Sequence, residues 1–354
     1  MRHQLVSPGG GAQPEHRDGD ARGAGESHPS RQNMKSNFKP ALLLVALTMV
    51  VPELLTGSSS IREFLNPAHI NILFWGYGVA ILLVREIAVR NNLSFAGIFI
   101  LGLAFGVFNE GLLAKTLIRA SELPISQYNQ YGYLLGISFP FTFAISFWHA
   151  LASVLVPILL TYWMYPNNKN RPWLNRKLTS FLTIALLVIG SASLLGKEPV
   201  QGTPLQLTVL VGLMFIAFLI ARRYIQTTDT SEVSADLTLK PVGLGLSLFF
   251  TYFLLLLFIA GNNLPVISFF IIFFFLLWLY YAILKRNGWL TQRYLILFGI
   301  GNYLQNTILA TLLAFTIPTT LIERVATGIA TIILLTWLTK KIQRSIFVER
   351  ASHS

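Results

Sequence analysis

Ten apolar runs of similar length divide the chain from Phe38 onward, and short polar loops separate them. They cover approximately residues 40–57, 70–89, 93–117, 141–165, 178–196, 205–223, 241–261, 265–285, 293–316 and 321–340. Each is about 20 residues long, the length an α-helix needs to cross a bilayer's hydrocarbon core. None alternates apolar and polar positions with period two, so the runs predict helices. In lipid, only helices and closed barrels satisfy the backbone's hydrogen bonds. The pattern predicts an all-α fold, a polytopic transmembrane helical bundle of about ten helices.

Composition sharpens this picture. The chain is 53% hydrophobic and 12% charged, with mean hydropathy +0.59 over 354 residues. A soluble domain cannot bury that much apolar surface. The net charge of +12 would suit nucleic acid in a soluble protein. Here the basic residues sit in short loops, so no nucleic-acid partner is expected and membrane lipid is. With no cysteine in the chain, disulfides, thiolate metal sites and cysteine catalysis are excluded.

The loop charges also give a direction. One side holds Arg85, Arg90, Lys169, Arg171, Arg176, Lys177, Arg222, Arg223, Lys240, Lys285, Arg286, Arg293, Lys340, Lys341, Arg344 and Arg350. The other holds Arg62, Lys115, Arg119, Lys197 and Arg324. By the positive-inside rule, the richer side is cytoplasmic. A multi-pass protein of the inner (plasma) membrane is expected, with both termini in the cytoplasm.

Five segments follow. Residues 1–33 are polar, without apolar period, and carry His3, His16 and His28 at a spacing that fits no ligand motif. They read as a disordered tail, or as sequence ahead of a start at Met34. Residues 34–223 form a six-helix part holding the candidate site, 224–240 a polar cytoplasmic linker, 241–341 a four-helix part and 342–354 a cytoplasmic tail. The loop at 118–140, with Tyr128, Tyr131 and Tyr133, reads as a lid or an interfacial tyrosine belt. No internal repeat is evident.

Candidate chemistry concentrates in runs three and four. A carboxylate or an imidazole inside an apolar run is costly and marks a site by default. Gly102, Gly106, Glu110 and Ala114 recur every four residues and share one helix face. Gly102-x-x-x-Gly106 lets another backbone approach closely, which turns Glu110 into the bundle. On run four, Thr142, Ser146, His149, Ser153 and Pro157 form a stripe at similar depth. Glu110 and His149, with Asn109 beside them, are the catalytic candidates: such a pair can hold a poised proton for acid–base work or a relay. The alternative is structural, with Asn109, Ser146 and Ser153 satisfying both groups by hydrogen bonds.

Further binding candidates are Glu53 after Pro52, Tyr77 in Gly76-Tyr-Gly78, and Ser146, Ser153, Asn302 and Asn306. On run nine, Asn302, Gln305 and Asn306 read as interhelical packing bonds or as part of a substrate path. Arg85 reads as a headgroup anchor and Glu86 as its local partner. No Walker loop, His-Glu-x-x-His or histidine box occurs, so no cofactor or metal is expected.

At Asn109–Glu110 and His149-Ala-Leu-Ala-Ser153 the chain resembles the CPBP (CAAX protease and bacteriocin-processing, Abi) family of intramembrane proteins. That family pairs a Glu-Glu-x-x-x-Arg helix with histidine-bearing helices. The resemblance implies a glutamate that activates water, which would be Glu110, with His149 on the facing helix. This chain has Asn109 at the first acid and Ala114 at the arginine, and Ile145 stands four residues before His149. Val51-Pro-Glu-Leu-Leu-Thr-Gly57 and Val84-Arg-Glu-Ile-Ala88 also look like uncharacterised polytopic membrane proteins of bacteria and archaea.

The leading expectation is a CPBP-like intramembrane hydrolase acting on a small-molecule or peptide substrate. The alternatives are a proton-coupled permease using Glu110 as its relay, or a non-catalytic scaffold or immunity-type protein. Topology is testable directly: reporter fusions after Arg176 and Lys285 read out as cytoplasmic, and one after Lys197 as periplasmic. A periplasmic signal at Lys285 would mean that the helix count is wrong.

Overall fold

The computed structural model describes residues 31–118, 131–196, 201–225, 239–262, 264–315 and 321–353. Residues 1–30 of the tail, 119–130 of the tyrosine-bearing loop, Lys197, and 226–238 of the linker lie outside the described residues.

Helices occupy all ten apolar runs. In chain order they are α1 (Arg31–Val50, continued by a π-helical turn, Val51–Leu55), α2 (Pro67–Arg90), α3 (Phe95–Leu113), α4 (Phe139–Met164), α5 (Arg176–Leu195), α6 (Pro204–Ala221), α7 (Lys240–Gly261), α8 (Val266–Arg286), α9 (Gln292–Ala314) and α10 (Leu321–His353). Among the described residues nine helices have the length and apolarity to cross a membrane. To these α7 adds a 22-residue helix on the seventh run. The only strands described are a two-residue hairpin, Tyr133–Leu134 against Ile137–Ser138. The protein is an all-α, multi-pass bundle.

Polar residues in the loops start the helices. Asn66 caps α2 by accepting from the Ala68 amide at 2.9 Å, and Asn175 caps α5 by accepting from Leu178 at 2.7 Å. Thr203 and Gln206 form a reciprocal capping box at α6. Each cap satisfies a backbone amide that the first helical turn leaves open.

Burial separates interior helices from lipid-facing ones. In the most apolar 18-residue stretch of α2, α3, α4 and α9, 61–72% of residues are buried, against 11–22% in that of α5, α6, α8 and α10. Tyr77, Asn109, Glu110 and His149 all fall on the interior set. Aromatic α8 divides its faces: Phe269 and Phe273 are buried, while Phe274, Phe275, Trp278 and Tyr281 stay exposed. The ring of Phe143 on α4 meets Phe270 and Phe273 edge-on. Tyr303 of α9 donates to the Ala152 carbonyl of α4 at 2.6 Å, tying the last four helices to the first six. At the C-terminus, α10 continues through residues 342–353, expected as a tail.

Two expectations are corrected. The third run ends as a helix at Leu113, not near residue 117. The Ala114 amide reaches back five residues to the Asn109 carbonyl at 2.8 Å, and Lys115 then takes a left-handed conformation with φ 60°. That conformation stops a right-handed helix. The second correction is Arg85, which is fully buried under protein and does not reach out to lipid as a lone anchor. The loop after α4 folds beneath the bundle, and the Trp173 ring covers the guanidinium at 3.6 Å. Arg85 donates to Glu86 at 2.6 Å and to the carbonyls of Asn168 and Lys169 at 3.0 and 2.9 Å.

The closest approach relevant to the candidate site is between α3 and α4. A Cβ on Gly106 would lie 2.5 Å from the Ser146 Cα, and one on Gly102 2.6 Å from the Ala150 Cα. Only hydrogen fits there, because the neighbour is backbone and cannot rotate away. Gly106→Ala forces the helices apart, at a cost of about 1–3 kcal/mol. Gly212 on α6 has nothing within 4 Å of its would-be Cβ. Thermal denaturation in detergent is expected to show a clear loss for Gly106→Ala and none for Gly212→Ala.

Candidate functional site

Four helices open into π-helical turns within the bundle: Val51–Leu55 in α1, Phe74–Val79 in α2, Phe108–Leu113 in α3 and His149–Leu155 in α4. A π turn inserts one residue into the i→i−4 ladder and re-aims the side chains around it. Each of these turns carries candidate residues: Glu53, Tyr77, Asn109 with Glu110, and His149 with Ser153. The turns of α1 and α4 touch, as do those of α2 and α3. Prolines and glycines mark three of them, Pro52 in the first, Gly76 and Gly78 in the second and Gly111 in the third.

Glu110 and His149 meet. The His149 Nε2 lies 2.8 Å from Glu110 Oε1, and its Nδ1 lies 2.9 Å from the Ser153 hydroxyl. With Glu110 ionised, Nε2 carries the proton and donates, and a neutral ring then accepts from Ser153 at Nδ1. Proton uptake at Nδ1 reverses the Ser153 bond. The other carboxylate oxygen of Glu110 accepts a short hydrogen bond from the Thr116 hydroxyl. Phe105 and Trp148 pack edge-on against the imidazole, with ring centroids at 5.6 and 4.8 Å. His149 is 1% exposed, whereas the Glu110 side chain keeps 14%. Glu110 is the less buried side chain of the pair.

A second carboxylate lies across the site. Asn109 donates to the Tyr77 hydroxyl at 3.1 Å, and that hydroxyl faces the carboxylates of both Glu53 and Glu110. Glu53 accepts from Ser59 at 2.7 Å, and Ser59 lies 3.2 Å from His69 Nε2. The Ser59 proton is committed to Glu53, so Ser59 accepts from His69. The polar chain thus runs from partly exposed His69, at the end away from the basic loops, inward to Tyr77. There the capping box of the short helix Ile61–Phe64 orders the loop. The Ser60 amide holds the Glu63 carboxyl below the usual carboxylate range.

The remaining candidates stand apart. Ser146 is buried at the α3–α4 crossing, and its hydroxyl has no hydrogen-bond partner. Asn306 donates to the Asn302 carbonyl at 2.8 Å, within α9. Joining α9 to the site's frame are instead Tyr303, on the Ala152 carbonyl, and Thr307, on the Leu55 carbonyl at 2.6 Å. Both acceptors are backbone carbonyl oxygens within π turns. Thr116 and Ser59 were missed by sequence reasoning. Thr116 lies six residues beyond Glu110, off any helical face, and the left-handed Lys115 brings it back.

A family model described as an uncharacterized membrane protein family matches residues 42–348. The chain belongs to this family. The matched stretch runs from α1 into α10 and includes every residue of the site. No curated protein and no solved structure matches. Membership carries no CPBP assignment.

The 2.8 Å contact has an energetic signature. Removing one partner leaves the other buried and under-satisfied, at a cost on the order of 1–3 kcal/mol. A double-mutant cycle of Glu110→Gln and His149→Gln is expected to be non-additive, with coupling of about 0.5 kcal/mol or more. Additive losses would mean that the contact contributes nothing.

Proposed function

We propose that this multi-pass membrane protein is an intramembrane hydrolase whose general base is Glu110. One observation carries the reading: the Glu110 carboxylate is held in one orientation by His149 and Thr116 together. A carboxylate fixed in this way is placed to take a proton from water. Water enters from the end opposite the basic loops. Glu110 takes one of its protons while the hydroxide adds to a substrate carbonyl carbon. The proton then passes from Glu110 to the leaving group as that bond breaks. His149, held by Ser153, is a positioning residue that keeps the carboxylate in one orientation. Tyr77, Asn109 and Glu53 line the same space as candidate contacts to substrate.

The substrate class is a small molecule or peptide borne by the membrane, which the inner (plasma) membrane would supply. This is the chemistry that the CPBP resemblance implies, with Asn109 in place of the first acid. Apolar side chains separate the site from the basic end: Ile81, Leu83, Leu101, Val154 and Leu155 are all buried between them in the sequence of helix turns. A site open to one end suits hydrolysis better than passage.

Cells producing the wild type and Glu110→Gln at equal levels are compared by mass spectrometry of membrane peptides and lipids. At least one cleavage product is expected to fall about 10²–10⁴-fold in the variant, the usual contribution of a general base. Identical product sets would refute the hydrolase. Glu110-dependent proton uptake into liposomes with unchanged products would assign the site to a proton-coupled permease.

A further inference from the structure

The basic end of the bundle holds a second polar cluster, which the Glu110 site does not use. Arg85 and Glu86 are fully buried there. Glu86 accepts from Arg85 at 2.6 Å, from the Trp173 amide at 2.7 Å and from Arg90 at 3.5 Å. Two guanidinium groups therefore share one carboxylate, and the cluster is left net positive. Buried Arg85 is matched by Glu86, and the surplus positive charge sits on Arg90, 22% exposed at the edge of the cluster, where it favours an anion.

A cavity lies beside this cluster. It spans about 470 Å³ of atom-free space with the open solvent at its mouth included. Asn92, Lys169 and Asn170 supply its polar rim, and Leu93 and Ile98 part of its apolar wall. Tyr162 lines it from α4 and is 6% exposed, and its buried hydroxyl has no hydrogen-bond partner. The Arg85 guanidinium carbon is 5.6 Å from the Tyr162 ring centroid, so the cation stands behind the cavity wall. The Nε atoms of Arg85 and Arg90 are likewise buried without partners. An orphaned hydroxyl donor, a rim lysine, two rim amides and a positive wall suit an oxyanion. The adjoining apolar wall suits a hydrocarbon chain. Basic pockets between helices at the cytoplasmic side of membranes bind lipid phosphates in this way.

We propose that this cavity binds the phosphate headgroup of an anionic glycerophospholipid, with Lys169, Asn170 and Tyr162 on the phosphate and the acyl chain along Leu93 and Ile98. Free phosphate offers the same oxyanion without the chain, so the test separates the two. The inference is independent of any activity at Glu110.

The test is native mass spectrometry of the full chain, delipidated and then offered equal amounts of phosphatidylglycerol and phosphatidylcholine. The wild type is expected to retain phosphatidylglycerol by about five-fold over phosphatidylcholine, the preference one cation confers near an anionic surface. Lys169→Gln and Tyr162→Phe each bring the ratio towards one. Lys285→Gln, a basic residue of the same end outside the cavity, leaves it unchanged. Lys169 is exposed on a loop, so its variant folds whatever becomes of Tyr162→Phe. Equal retention of both lipids, a preference that survives Lys169→Gln, or an equal loss in Lys285→Gln overturns the proposal. Inorganic phosphate raising the wild type's melting temperature without any lipid preference also overturns it, in favour of a free anion.

Discussion

The hydrogen bond between Glu110 and His149 depends on how closely α3 and α4 can approach. Gly102 and Gly106 bring α3 to within a hydrogen's width of the backbone at Ala150 and Ser146. Glu110 and His149, on opposite sides of the Gly106–Ser146 contact in this antiparallel pair, then reach across it to 2.8 Å. At the imidazole, 1% exposed, no solvent takes the place of a missing partner. Packing and polar satisfaction are therefore one constraint here. The small residues set the distance, and the distance decides whether a carboxylate and an imidazole can be tolerated at all.

The π turns extend that logic to four helices. An ordinary α-helix presents a side chain every 100° and leaves its carbonyls bonded within the ladder. A π turn shifts the register of the face and loosens a carbonyl. Here the loosened backbone is put to use, since Tyr303 bonds the Ala152 carbonyl and Thr307 the Leu55 carbonyl. Both hydroxyls come from α9, which otherwise contributes no ionisable group to the site. The frame that holds Glu53, Tyr77, Glu110 and His149 is thus completed from the far part of the chain.

The helices were legible in the sequence because apolar run length alone decides what can span a bilayer. Glu110 and His149 were legible as a facing pair, because a four-residue ladder of small residues and a polar stripe obey the helical period. What escaped was whatever departs from that period. Thr116 reaches Glu110 only because Lys115 turns left-handed, and no spacing rule anticipates that. Ser59 joins Glu53 through a loop fold. Arg85 was misplaced for a similar reason: its position near the end of a run is correct, but the cover over it comes from a loop more than eighty residues away.

That loop gives the chain an order of assembly. The partners of Arg85 lie 83 and 84 residues downstream, and the Trp173 amide that braces Glu86 lies 87 residues on. A ribosome delivers α2 long before it delivers them. During that interval the loop partners of Arg85 are missing, and Glu86, the next residue along, is the carboxylate at hand for its charge. The clasp closes once α4 has crossed and its following loop has emerged. Synthesis thus leaves the bundle unlocked until its fourth helix is in place, and the lock is turned from the end that the basic loops define.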